Sequence, residues 1–477
     1  MQITFLGAAE EVTGSCYLIQ TSEATVLLEC GQKQGSRDEE EHNKDAFPFD
    51  IQQLDAVVIS HAHIDHSGRL PLLVKQGYAK PIYTHQATRA LLEIMLLDSG
   101  YIHEKDAEWE NKQRQRKLEN QQSEYKKNNQ HVSASDLEVV EPLYTKGDAE
   151  NTIPLIQGMN YSERIEVAKN LFVQFNDAGH ILGSAIVEIW DESQEPVRKL
   201  VFSGDLGFSD APIMQNPTSI AKADLVMLES TYGDRPHKCC EDTLQELGRI
   251  FKQAHSERGN VLIPSFAVGR SQDLLFLMSK YFKEWGLGHW NIFLDSPMAI
   301  RATQVYARFQ NLYDARLFNP SSLEPVLPNL TMSMSTEESM QINAIKSGAI
   351  VIAGSGMCSG GRIHHHLKYN IAKANTHVIF VGYQAIGTLG RMIVDGAEKI
   401  KLWGEWHPVQ ANIHTVGGLS AHADQDGLID WYSGFDHKPP VYLVHGESRA
   451  QQALQQKLQD VMAIEAQIAK YGDTVRV

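Results

Sequence analysis

Residues 55–68 read DAVVISHAHIDHSG. The β-branched run Val57, Val58 and Ile59 predicts a buried strand that stops at Ser60. The chain then passes at once into His61, His63, Asp65 and His66. Two residues apart on extended backbone, His61 and His63 can face the same way. Asp65 and His66, a turn further on, face a neighbouring point. A structural loop has no use for so many imidazoles and carboxylates in so short a space. The layout suits two metal ions a few ångströms apart that share ligands and a bridging hydroxide. Four side chains cannot complete two such sites. The candidates for the rest lie at the ends of apolar runs, each next to glycine: His180 in AGHILGS, Asp205 in SGDLG and His445 in LVHGE. Singly, each reads equally well as a turn residue. With the HAHIDH loop they complete a ligand set.

Upstream of that loop, QITFLGA, CYLIQT and ATVLLE predict short strands of a sheet covered on one side. Downstream, TRALLEIMLLDSGY has helical spacing of its apolar residues. The polar stretch over 103–135 follows and predicts a solvated helix ending in a flexible loop. Strands resume with LFVQFNDAGH, SAIVEIW, KLVFSGD and ADLVMLES. From about 236 helices and apolar strands alternate: TLQELGRIFKQAHSERG to NVLIPSFA, SQDLLFLMSKYFKEWG to NIFLDSP, and on to GAIVIAGSG. Such alternation predicts βαβ units and a mostly parallel sheet. The last part returns to short strands with histidines at their ends, ANIHTVGGLSAHAD and PPVYLVHGE.

The 477 residues exceed one typical core and predict two or three domains. The start, MQITFLGAAEEVTGS, does not read as a signal peptide, and no apolar run is long enough for a membrane helix. The five cysteines, with no CxxC, fit a reducing cytoplasm and disfavour cysteine-bound zinc. A net charge of −16 argues against a nonspecific nucleic-acid coat. It leaves room for an enzyme whose cations line one cleft or whose metal supplies the positive field.

HAHIDH, GHILGS and SGDLG, in that order, resemble the metallo-β-lactamase superfamily, and ESTYG, SAHAD and LVHGE resemble its β-CASP branch, which processes nucleic acids. The resemblance implies an α/β fold: an αββα sandwich formed by 1–209 and 401–477, with an inserted α/β domain over 210–400. It implies one zinc ion on His61, His63 and His180, a second on Asp65, His66 and His445, and Asp205 bridging both. It gives His422 the part of proton donor to the leaving oxygen, with Glu229 orienting it. The expected catalytic set is His422, Glu229, Asp65 and Asp205, in a cytoplasmic zinc-dependent ribonuclease that cuts internally or from the 5′ end. The partner implied is RNA; self-association is left open. Where the family carries Asp, this chain has Glu29, and its extra methylene predicts tuning of the metal loop rather than loss of metal.

The chemistry asks for the same parts. An anionic phosphodiester needs a hydroxide of low pKa and cations on its oxygens. The departing ribose oxygen needs an acid, and an imidazolium held by a carboxylate is one. For gripping RNA, AGSGMCSGGRIHHHL (353–367) predicts a strand, a glycine-rich turn and a helix start, offering Ser355, Gly356, Ser359, Arg362 and His365 to phosphate. PSFAVGRSQ (264–272) repeats that form with Arg270. The run His364–His365–His366 cannot hold one ion, since consecutive helical residues diverge by about 100°. GTLGR (387–391) reads as a loop near the cleft, and Trp403 and Trp406 read most simply as core or rim packing. Three rivals stand beside the ribonuclease: a DNA-processing relative, a small-molecule hydrolase on the same core, and an inactive RNA-binding scaffold. His445, the inserted domain and the filled ligand positions disfavour them in turn.

Overall fold

The computed structural model describes residues 1–35, 37–128, 139–209, 211–314, 327–382, 384–385 and 387–477. Two seven-stranded sheets lie face to face. The first runs Thr474–Arg476, Gln2–Phe5, Tyr17–Gln20, Thr25–Leu28, Ala56–Val58, Ile82–His85, Ile156–Met159. The second runs Gln467–Ile468, Val441–Val444, Leu225–Glu229, Arg198–Phe202, Ala185–Asp191, Leu171–Asp177, Arg164–Ala168. Alternating side chains divide each strand between two cores. Ile3, Phe5, Ile19, Val26, Leu28 and Val58 meet Val173, Phe175, Val187, Ile189, Phe202 and Met227 between the sheets. Leu27, Val57 and Ile82 point outward onto Leu73, Leu91 and Leu92, which sit on helices Leu70–Lys75 and Gln86–Asn128. Val226, Leu228 and Leu443 point outward onto Leu428, Tyr432, Leu454 and Leu458, on helices Gln425–Ser433 and Ser448–Met462. The result is the expected αββα sandwich.

A separate six-stranded sheet, parallel throughout, orders its strands Leu330–Met332, Asn291–Leu294, Ala349–Ala353, Val261–Pro264, His377–Phe380, Asn412–Thr415. Apolar clusters cover both its faces, as a parallel sheet requires. Sheet membership departs from the expected boundaries at 209 and 400. Leu225–Glu229, buried along its whole length, pairs with Arg198–Phe202 and Val441–Val444 inside the sandwich. Asn412–Thr415 still belongs to the inserted sheet, where it pairs with His377–Phe380. Leu225–Glu229, apolar on both faces, needs a neighbour on each side, whereas Asn412–Thr415 is the edge strand of the inserted sheet.

The apolar part and the solvated part of 86–128 form one continuous helix, Gln86–Asn128. Residues 129–135 of the expected flexible loop lie outside the described residues. Among the described residues no helix is long and apolar enough to cross a membrane.

Candidate metal centre

The strand Ala56–Val58 ends two residues before the expected stop at Ser60, and Ser60 to His63 run on to the short helix Ile64–Ser67. Gly31 holds this loop close: a β-carbon there would lie 1.7 Å from the Asp65 carbonyl oxygen. His180 sits in the turn between Leu171–Asp177 and Ala185–Asp191. Asp205 follows Arg198–Phe202, and His445 follows Val441–Val444. Strand ends from both sheets thus deliver every expected donor to one place.

The donors form two cages. In the first, His63 Nδ1 lies 3.1 Å from His61 Nε2 and 3.2 Å from His180 Nε2. Asp205 Oδ2 lies 3.3 Å from His61 Nε2 and 3.5 Å from His180 Nε2. In the second, His66 Nε2 and His445 Nε2 are 2.9 Å apart. Asp205 Oδ1 lies 3.3 Å from the former and 3.6 Å from the latter, and Asp65 Oδ2 lies 3.9 and 3.4 Å from them. Zinc–nitrogen bonds of about 2.0–2.1 Å give a tetrahedron with edges of about 3.3 Å. Separations of 3.1–3.5 Å in the first cage and 2.9–3.9 Å in the second bracket that edge, and Asp205 gives one oxygen to each.

Hydrogen bonds settle which nitrogens carry protons. His180 Nδ1 donates to the Ala421 carbonyl at 3.0 Å. The Ser60 hydroxyl donates to Glu29 and so accepts from His61 Nδ1, 3.0 Å away. Thr231 Oγ1 donates to the His445 carbonyl and accepts from His445 Nδ1. His66 Nδ1 is bonded to Glu29. The Nε2 atoms of these histidines therefore converge, as the ligands of a shared cation would. Asp205 Oδ1 is buried without a hydrogen-bond partner among the described residues, which elsewhere carries a penalty. Burial lowers the His61 imidazole to about 3 and that of His63 to about 4. Burial opposes ionisation of Asp205, yet the imidazoles of His445, His66 and His61 hold it well below the carboxylate range. Burial opposes charge on His66, yet Asp205 and Asp65 hold its imidazole above its ordinary range, so bound zinc would take the place of that proton. Neutral imidazoles and an ionised carboxylate are what a zinc site needs.

Beside the cages, His422 Nδ1 lies 3.1 Å from Glu229 Oε1 and 3.9 Å from Asp205 Oδ2. Glu229 is fixed in turn by the Leu206 and Thr231 amides, at 2.9 and 3.1 Å. The segment bearing His422 is pinned by the Ala423 amide to the Leu206 carbonyl at 2.7 Å. Against the opposing effect of burial, Glu229 and then Asp205 raise His422 to about 9. Glu229 thus holds Nδ1, and Nε2 is the nitrogen left to present a proton.

Of the expected RNA contacts, Ser355, Gly356 and Ser359 lie in the turn between strand Ala349–Ala353 and helix Arg362–Asn370. The Ser355 hydroxyl accepts from the Ser359 amide at 2.9 Å. Arg362 is engaged with Asp295 at 2.6 Å and with the carbonyls of Ser333 and Met334, so it braces the turn. Arg270 is 8% exposed and paired with Asp273 at 3.2 Å. Its neighbour Gly269 lies against Ile181, next to His180, at the seam of sandwich and insert. The triple histidine diverges: His364 bonds the Cys358 carbonyl, His366 bonds Asp295 at 2.6 Å, and His365 is exposed beside Trp403. Gly390 of GTLGR abuts the same turn through Met357. Trp403 and Trp406 are 54% and 57% exposed. Packing does not account for them, because they stand on the outward face of a hairpin that 399–408 did not announce.

Three family models match in succession: the metallo-β-lactamase superfamily at 9–125, the Beta-Casp domain at 271–393 and the Zn-dependent metallo-hydrolase RNA specificity domain at 406–469. A ribonuclease of Thermus thermophilus is 36% identical over 100% of both chains. The chain belongs to the β-CASP branch of the metallo-β-lactamase superfamily. The transcription termination factor FttA of Methanocaldococcus jannaschii is 28% identical, over 94% of this chain and 67% of its own. A crystal structure of an Enterococcus faecalis protein of unknown function shares the fold, with a TM-score of 0.54, 14% identity, and 100% and 99% coverage.

This β-CASP protein is a metal-dependent hydrolase, and its Glu29 lies behind both cages. The residue takes a left-handed backbone, φ 64°, and is fully buried. Its carboxylate accepts from the Ser60 amide at 2.6 Å, from the Ser60 hydroxyl at 2.9 Å and from His66. It therefore orients one donor of each cage, His61 through Ser60 and His66 directly. Glu29→Gln is expected to lower metal affinity about 10–100-fold, measured by competition with a zinc chelator; unchanged affinity would remove this supporting role. Sequence reading missed Ser60 and Thr231, whose hydroxyls carry no motif of their own. It also missed His237, whose Nε2 donates to the His422 carbonyl at 3.0 Å.

Proposed function

We propose that this β-CASP hydrolase is a ribonuclease that holds two zinc ions, one in each cage, and cleaves RNA phosphodiester bonds with His422 as the acid. The observation that carries the reading is Asp205, whose two oxygens each close one cage within reach of the His422–Glu229 pair. Zinc, when bound, supplies positive charge at neutral pH and lowers the pKa of water. The chain's own residues do the rest. His61, His63 and His180 in one cage, and Asp65, His66 and His445 in the other, offer donors already oriented by the groups behind them. Such preorganisation spares reorganisation during reaction. Glu229 keeps Nδ1 of His422 occupied, so that Nε2 can pass its proton to the departing ribose oxygen. RNA is favoured as substrate by the ribonuclease named among the relatives and by the RNA specificity domain model.

The divided fold supports a division of labour. The sandwich carries the donors, and in this reading phosphate meets Ser355, Gly356 and Ser359 of the 354–361 turn and His365 of the helix that follows it. Arg362 and Arg270 act on that grip by bracing it. Cys16, Cys30, Cys239, Cys240 and Cys358 form no disulfide among the described residues, which suits a reducing cytoplasm. The test is digestion of one RNA labelled at each end in turn. Cleavage that a chelator stops and zinc restores is expected, and the two ladders separate internal from terminal cutting. A purified protein loaded with zinc that leaves RNA intact would overturn the reading.

A further inference from the structure

The hairpin formed by Lys399–Leu402 and Glu405–Pro408 turns Ile400 and Leu402 into an apolar cluster with Ile363 and Leu367 of helix Arg362–Asn370. Its other face carries Lys399 and Lys401, with Trp406 opposite Lys401 in the ladder. Two tryptophans more than half exposed within four residues need a reason. The backbone sharpens the need. Trp403 and Gly404 form a two-residue turn with φ of 46° and 87°. Both values are left-handed, the conformation that Asn-Gly fills readily and a bulky L side chain fills badly. Trp403 therefore stands at the tip against local preference.

Each ring has a cation beside it. Lys368 Nζ lies 5.6 Å from the Trp403 centroid and Lys399 Nζ 4.9 Å from that of Trp406. The His365 ring lies 4.5 Å from Trp403. In a chain of net charge −16, Lys368, Lys399 and Lys401 gather here beside Glu398 and Glu405, with Lys368 bonded to Glu405 at 3.1 Å. The surface is continuous with the site. Helix Arg362–Asn370 begins at the 354–361 turn, whose Gly356 lies against the 43% exposed ring of Phe266. Phe266 shares its loop with Gly269, which touches Ile181 beside His180. Phe266, the 354–361 turn and helix Arg362–Asn370 thus lie between the metal loops and the hairpin.

We propose that this hairpin and helix form a stacking platform for single-stranded RNA beyond the scissile bond. Bases stack on Trp403 and Trp406, and Lys368, Lys399 and Lys401 meet the flanking phosphates. The inference rests on the ribonuclease reading above. Aromatics interleaved with cations suit a nucleic-acid strand, whereas protein interfaces are depleted in lysine.

The test uses the full-length enzyme with Trp403→Asn, which supplies the residue the turn prefers, and Trp406→Thr, which suits an exposed strand. Wild type and double variant are compared on a single-stranded RNA of about 20 nucleotides and on bis(4-nitrophenyl) phosphate, with quenching of tryptophan fluorescence by oligouridylate as a readout independent of turnover. Stacking energies correspond to about 5–150-fold per base. The expected result is a KM for the RNA raised about tenfold or more, loss of most of the quenching, and unchanged hydrolysis of the small ester. An unchanged KM on an RNA that the wild type cleaves overturns the platform alone. A wild type that hydrolyses the ester but neither cleaves nor binds RNA overturns the ribonuclease reading, and the platform with it.

Discussion

His422→Ala is expected to slow cleavage of an ordinary RNA by about 10²–10⁴-fold, the usual consequence of losing a general acid, while zinc content stays at the wild-type level. The imidazole is not a member of either cage; its Nδ1 is 3.1 Å from Glu229 and 3.9 Å from Asp205. Its loss removes a proton donor and leaves the donor set intact. The deficit is expected to shrink on a phosphodiester whose leaving group needs no proton, such as a thio-substituted linkage. Glu229→Gln is expected to behave similarly, and the double variant to lose little more, because the two residues act as one unit. Single-turnover rates on the two substrates check this. A deficit that persists unchanged on the thio-substituted substrate would remove the acid role from His422.

Asp205→Ala is expected to abolish cleavage and to lower affinity for both ions, because one carboxylate closes both cages. His445→Ala is expected to act more narrowly. It strips one donor from the cage that holds His66 and Asp65, and leaves the His61–His63–His180 cage complete. Titration of each variant with zinc, followed by chelator competition, distinguishes two weakened sites from one. Equal losses in both variants would show that the cages are not separate.

The metal loop was legible because its message is local. Ligands spaced one to three residues apart on a strand end advertise themselves in sequence, whereas the αββα sandwich came from the resemblance, and periodicity supplied only the parallel βαβ middle. His180, Asp205 and His445 were legible only as strand-end residues flanked by glycine, and it was the resemblance that joined them. The supporting hydroxyls of Ser60 and Thr231 were not legible, since a hydrogen bond across 214 residues, as between Thr231 and His445, leaves no trace in spacing. The change of sheet at Leu225–Glu229 and Asn412–Thr415 was missed for a related reason. An apolar strand states that it is buried but not between which neighbours. Trp403 was misread because its exposure depends on a two-residue turn held in a conformation that tryptophan seldom adopts.

The most direct test of the central claim is zinc per chain in active, purified enzyme, measured by elemental analysis against protein concentration. About two ions per chain are expected from the two cages, falling in step with activity as a chelator is added and recovering with added zinc. Full activity with one ion per chain, or with none, would contradict it.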